Sequence, residues 1–266
     1  MAKIVAFSSN KGGVLKTSLS INVAGTLTSN GKKTLIIDMD NQGNVATSFG
    51  KDADDIEVTI YDLLTAEPLT DELIDDAVVS VAPNLDMIVA NDDMAYFELD
   101  VLTDLDNHPD YFNLLKRVTD RLDAHYDYIV IDTPPAMGLI AANIFNAAQD
   151  IVIPFQPEQY AFRSLVKTVQ AIKKFEESNS ELRVVDIVPT KGRSTNLHTS
   201  FIMAAKNWAK EAKVPFSSIE IRDTVKYGEM TARLSAPLTM VDDLSKSLSP
   251  YKDTFTQLVQ ELGYIK

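Results

Sequence analysis

Apolar and polar positions change rhythm along the chain, alternating between buried-strand blocks and amphipathic helical stretches. Residues 3–8 read as a buried strand, and 16–28 as a helix with Leu19, Val23 and Leu27 at helical spacing. Gly31 stops that helix, and 34–37 form a second strand that ends at Asp38. Further apolar runs at 85–90, 128–131, 151–155 and 184–188 are separated by helical patterns at 111–125, 139–148, 162–177 and 197–212. A strand at 217–221 and a helix at 251–262 close the pattern. Such alternation predicts an α/β fold, with a doubly wound, mostly parallel sheet flanked by helices. Residues 51–110 lack this rhythm and are expected to be short helices and loops inserted after the second strand, in an acidic insertion of roughly 51–125. With no internal repeat and no Pro/Gly/Ser-rich linker, residues 1–266 are expected to form a single domain.

At 266 residues and 45% apolar content, the chain can bury a sizeable core. It has no cysteine, which excludes a disulfide framework, a thiol nucleophile, a thiolate zinc site and a cysteine-held iron–sulfur cluster. No run of 18 apolar residues occurs and the first residues resemble no signal segment, so a soluble cytoplasmic protein is expected. The net charge of −13 argues at first against a nucleic-acid partner. Its distribution changes the picture: residues 1–50 and 151–266 are each +3, and residues 51–150 carry −19. The acidity belongs to one segment, either a solvated surface or a face for a partner.

Between the first strand and the first helix runs Asn10-Lys11-Gly12-Gly13-Val14-Leu15-Lys16-Thr17-Ser18. Amide N–H groups at a helix N-terminus point at an anion, so a phosphate cradle belongs here. Gly12 and Gly13 let the backbone curl, Lys16 can reach the β- and γ-phosphates, and the Thr17 hydroxyl suits Mg²⁺. The standard Gly-x4-Gly-Lys-Ser/Thr pattern fails, because Asn10 and Leu15 occupy its glycine positions.

The stretch from Lys11 to Ser18 resembles the deviant Walker A box of the ParA/MinD ATPases, a P-loop NTPase family with an extra signature lysine, here Lys11. Most relatives have Gly where Leu15 stands, and some plasmid-partition members carry a bulky residue. Asp38-Met39-Asp40-Asn41-Gln42-Gly43-Asn44 is similar to the family's second box, and Tyr128–Asp132 followed by Thr133-Pro134-Pro135 resembles Walker B running into switch II. The resemblance implies an ATPase with ATP and Mg²⁺ as cofactors, slow without a partner. It implies nucleotide binding by Lys11, Gly12, Gly13, Val14, Leu15, Lys16, Thr17 and Ser18. Catalytic roles fall to Lys11, Lys16 and Asp40, and the magnesium site to Thr17, Asp38 and Asp132. Lys11 would act in trans, across a homodimer formed with ATP.

Absences and matches narrow the branch. Nitrogenase iron proteins need cysteines, and MinD-type proteins end in a basic amphipathic membrane helix. The last helix here has a polar face of Asp253, Gln257, Gln260 and Glu261, so it is expected to pack on the core. Phe155-Gln156-Pro157-Glu158 and Glu220–Lys226 resemble stretches of the partition ATPases, the second implying base contacts by Arg222 and Asp223. That branch implies non-specific double-stranded DNA and a ParB-type centromere-binding protein as partners, nucleoid association and no membrane. DNA contacts are expected at Arg193 and Lys226, and on a helix stripe of Lys206, Lys210 and Lys213, with Arg163, Lys167 and Lys174 as a second stripe. Two alternatives stand beside it: a MinD-like positioning ATPase on a membrane or protein scaffold, and a P-loop small-molecule ligase. His108, His125 and His198 show no metal spacing and are expected at the surface or as caps, and Trp208 is expected to pack.

Overall fold

The apolar runs pair into an eight-stranded sheet of order β3-β4-β2-β5-β1-β6-β7-β8. The strands are β1 (Lys3–Phe7), β2 (Thr34–Asp38), β3 (Val79–Ala82), β4 (Leu85–Ile88), β5 (Tyr128–Asp132), β6 (Asp150–Phe155), β7 (Arg183–Gly192) and β8 (Ile221–Arg222). Neighbours are parallel throughout except β3 with β4. The computed structural model describes all residues other than 136, 193, 194, 223–230, 232, 242, 243 and 245.

Both faces of this sheet are covered, so successive strand residues enter opposite cores. Ile4, Leu35, Ile129 and Ile151 face one core, which α6 (Leu114–Leu122), α7 (Leu139–Ala147) and α8 (Ala161–Phe175) complete with Val118, Phe145 and Leu165. Val5, Ile36, Val130 and Val152 face the other, completed by Leu19 of α1 (Lys16–Ser29) and Phe255 of α10 (Ser249–Glu261). α1 is buried on more than the one face its Leu and Val spacing implied. A Cβ at Gly25 would lie 2.4 Å from Thr239 Oγ1, and Thr239 Oγ1 donates to the Asn22 carbonyl at 2.9 Å.

The expected α/β class is the observed one, with three local differences. In the segment after the second strand the expected run at 85–90 pairs with β2 as β4, but an edge strand that no apolar run marked, β3, joins it, and Ile60, Leu63, Phe97 and Val101 are fully buried. Its helices α3 (Ile60–Thr65), α4 (Asp71–Ala77) and α5 (Phe97–Thr103) are each under about two turns, too short for a periodic signal. α6 begins at Leu114 rather than 111, because the Asn113 side chain is drawn to Asp110 (2.7 Å) and Tyr111 packs on Phe112. The strand expected at 217–221 shortens to Ile221–Arg222, since Ser218 turns its amide and hydroxyl to Glu261 at 2.8 and 2.6 Å.

That turn closes α10 over a buried acid on β7. Burial, and next the Glu261 carboxylate opposite, push Asp186 up to about 7. Against its own burial, Glu261 is held below the usual range by the two Ser218 hydrogen bonds, so the proton of the pair sits on Asp186. The native state then binds this proton more tightly than the unfolded chain does, and stability falls as pH rises towards 7, with the full cost above it. Asp186→Asn keeps the shape and cannot ionise. Its stability advantage over the wild type is expected to grow by about 2 kcal/mol from about pH 5 to about pH 8. Denaturant titrations at both values check this, and a pH-independent difference refutes it.

Candidate functional site

β1 lies between β5 and β6, where the winding direction of the sheet reverses, and the loop leaving its C-terminal end sits at that switch point. Gly13 takes φ +71°, a left-handed conformation that suits glycine. Leu15 takes the same region, φ 69° and ψ 29°, at the N-cap of α1, where it packs on the α1–α10 core. Leu15 therefore holds a backbone that a glycine would take without strain, and its side chain offsets part of its own strain by apolar contact. The first turn of α1 has no acidic side chain and no side-chain cap, which leaves its amides for an anion. Lys16 Nζ donates to the Lys11 carbonyl at 3.3 Å, closing the loop on itself, and Asn10 is joined to Ser164 of α8.

Two strand ends bring acids to this loop. Register pairs Phe7 with Asp132 and Asp38 with Asp132, so β1, β2 and β5 end together. Asp132 Oδ2 accepts from Thr17 Oγ1 at 2.6 Å and Oδ1 from Ser20 Oγ at 2.9 Å. Asp38 accepts the Asp40 amide at 3.0 Å and the Val45 amide at 3.1 Å. Both carboxyls are fully buried. Burial pushes Asp132 up to about 6 against the Thr17 and Ser20 hydrogen bonds. Burial, then Asp132 itself, pushes Asp38 well above the carboxylate range. Burial pulls the Lys16 ammonium down, while Asp132 and Asp40 oppose it. Asp40 is half-buried and accepts the Gln42 amide at 3.2 Å. Two buried acids and a nearby third, facing one buried ammonium, form a hard-oxygen set. With the Thr17 hydroxyl, these donors fit Mg²⁺ chemistry, which favours carboxylates and water.

Lys11 lies at the other side of the loop, with its Nζ 2.5 Å from Glu158 Oε2. That hydrogen bond holds the Glu158 carboxyl below the usual range, and Gln156 also donates to it. The structure thus brings together Lys11, Gly12, Gly13, Val14, Leu15, Lys16, Thr17 and Ser18 with Asp38, Asp40 and Asp132. Sequence reasoning missed Ser20 and gave Glu158 no side-chain role. Ser20 stands one turn after Lys16 on α1, a spacing that could have marked it.

Arg222 is exposed and lines a groove of about 560 Å³ with Glu220, Pro250 and Tyr251, whose lining includes no residue of 10–18. Asp223, Arg193 and Lys226 fall outside the described residues. Lys206, Lys210 and Lys213 are exposed on or just after α9 (Asn196–Ala212), and Arg163, Lys167 and Lys174 on α8. The two stripes occupy neighbouring helices, joined by Lys173 Nζ donating to the Ala212 carbonyl at 3.1 Å and by Phe162 against Trp208. Trp208 packs, as expected, whereas His108 is buried rather than at the surface, at the end of a turn whose Asn107 and His108 amides donate to the Asp104 carbonyl. Among the described residues no cluster of three or more His, Cys, Asp or Glu could hold a metal by itself. No helix among them is long and apolar enough to cross a membrane.

A family model described as an AAA domain matches residues 2–184. The chain is similar to the ParA family protein MG470 of Mycoplasma genitalium, at 32% identity over 97% of this chain and 96% of that protein. It is also similar to the sporulation initiation inhibitor protein Soj of Bacillus subtilis, at 29% identity over 95% and 96%. A solved plasmid partition protein of Borrelia burgdorferi bound to AMPPNP shares the fold, with a TM-score of 0.77 and 25% identity over 98% of this chain and 99% of that one.

The left-handed backbone at Leu15 separates two substitutions. Leu15→Gly is expected within about 1 kcal/mol of the wild type, since released strain offsets lost packing. Leu15→Val is expected to lose about 2 kcal/mol, because a β-branched side chain resists this region. Chemical denaturation measures both, and a valine variant as stable as the glycine variant refutes the account.

Proposed function

The chain belongs to the ParA family of P-loop ATPases, proteins of partition and positioning, and on that premise we propose that it is a DNA-partition ATPase. The observation that carries the reading is the convergence of Lys16, Thr17, Asp38 and Asp132 at the switch point of the sheet. ATP would lie along the loop 11–18, its phosphates on the α1 amides and Lys16, and Mg²⁺ would neutralise the charge that builds on those phosphates. Thr17, Asp132 and Asp38 would hold the cation, largely through water. Asp40, half-buried beside them, would orient the attacking water, so that catalysis rests on positioning and charge. Arg222 and Asp223 would meet the base.

Lys11 would serve the nucleotide of a second subunit, and in the isolated chain Glu158 holds it back. ATP binding therefore favours the homodimer by offering Lys11 a stronger partner than Glu158. Dimerisation doubles the basic surface of α8 and α9, and phosphate contacts by Lys206, Lys210, Arg193 and Lys226 give sequence-independent DNA binding. A ParB-type partner would stimulate hydrolysis and reset the cycle. Residues 1–266 would act as one unit in the cytoplasm, at the nucleoid.

One titration tests the reading: DNA binding with ATP, with ADP and without nucleotide, at two salt concentrations. Binding is expected with ATP alone and to weaken with salt, and nucleotide-independent binding refutes the switch. Lys16→Ala is expected to lose ATP affinity by roughly 100-fold, as for a buried charge-assisted contact. Asp40→Ala is expected to keep ATP and persist as a dimer without turnover, which sizing with retained nucleotide would read. Wild-type turnover in that variant removes Asp40 from the mechanism.

A further inference from the structure

The segment after β4 holds an apolar surface that neither the core nor the phosphate loop uses. Phe97 and Val101 are fully buried and anchor α5. Beside them Tyr96, Leu99 and Leu102 recur every third residue, 60%, 62% and 45% exposed, and Leu105 continues the stripe past the helix end at 44%. Single exposed leucines are ordinary, but a run of large apolar side chains at this spacing marks a contact surface. Asp92, Asp93, Glu98, Asp104 and Asp106 are exposed around the stripe, and residues 91–112 contain seven acids with no Lys or Arg.

The stripe also reaches the nucleotide edge. β4, β2, β5 and β1 are parallel, so the loop carrying α5 and the loop after Asp132 leave the same edge of the sheet as the phosphate loop. A Cβ at Gly138 would lie 2.6 Å from Glu98 Oε2, and Met137 beside it is exposed. A partner seated on α5 would therefore touch the loop that follows the buried Asp132.

We propose that this stripe docks a basic amphipathic helix of a partner protein. Apolar side chains at i, i+3 or i+4, and i+7 of that helix sit on Tyr96, Leu99 and Leu102, and its flanking Lys and Arg meet the acid rim. A second copy presenting this same face would set acids against acids, whereas a basic helix matches both the apolar stripe and its rim. The proposal draws on the partition reading only in that such an ATPase answers to a partner. Docking is read without nucleotide, so its failure and the failure of ATP turnover are separate results.

The probe is a labelled helical peptide of roughly 20 residues with a leucine stripe flanked by Lys and Arg, beside a scrambled peptide of the same composition. Fluorescence anisotropy with the full chain is expected to show roughly tenfold tighter binding of the ordered peptide. Leu99→Ser with Leu102→Ser is expected to erase that preference, and Asp104→Lys with Asp106→Lys to weaken the ordered peptide roughly tenfold. Both variants are expected to keep the wild-type thermal midpoint and ATP turnover, which separates lost docking from lost folding. Equal binding of the two peptides by the wild type, or a preference that survives the serine pair, overturns the proposal. Loss of self-association with ATP in the serine pair, without any peptide preference in the wild type, assigns the stripe to a second copy and also overturns it.

Discussion

The carboxyl group of Asp132 is fully buried at the end of a central strand, and much of the site is arranged around that cost. Thr17 and Ser20 bring hydroxyls to its two oxygens, and Lys16 brings the nearby positive charge. All three come from the first two turns of α1, so satisfying Asp132 fixes where that helix begins. The loop from β1 must then turn tightly to reach it. The left-handed residues Gly13 and Leu15 are the geometric consequence. Asp38 adds a second buried carboxyl in register with the first, solved by backbone amides instead of side chains.

Charge changes sign along the strand order of the sheet. On the β4 side, residues 91–112 are acidic and carry an exposed apolar stripe. On the β6–β7 side, α8 and α9 expose Arg163, Lys167, Lys206 and Lys210. The phosphate loop lies between them, with Lys11 bound to Glu158 towards the basic side. A total charge of −13 is therefore compatible with a basic surface, because the two signs lie towards opposite ends of the strand order rather than being mixed.

Where an element had a period long enough to read, the sequence and the fold agree. Leu19, Val23 and Leu27 on α1, and the alternating Ile and Val residues of β1, β2, β5 and β6, are such cases. α3, α4 and α5 were expected as short helices but not placed, because each makes fewer than about two turns, and β3 escaped detection because it is a four-residue edge strand of half-exposed positions. The candidate site was legible in its charged members, since Lys11, Lys16, Asp38, Asp40 and Asp132 stand at loop and strand ends that the pattern itself marks. Ser20 was not, because a serine within a helix has many ordinary uses.

By itself the sequence determined the alternation of strands and helices, and with it the phosphate loop between the first strand and first helix. It also determined the carboxylates at the ends of two apolar runs. Those are properties of neighbours along the chain, set by local sterics and hydrophobic period. Only the tertiary structure decided that Ser20 shares Asp132 with Thr17, that Glu158 holds Lys11, and that Asp186 keeps a proton against Glu261. It also decided that Leu99, Leu102 and Leu105 of the acidic segment face outward. Each of these depends on which segments, often more than a hundred residues apart, meet once both faces of the sheet are covered, and for Asp132 and Asp186 burial then raises the acid.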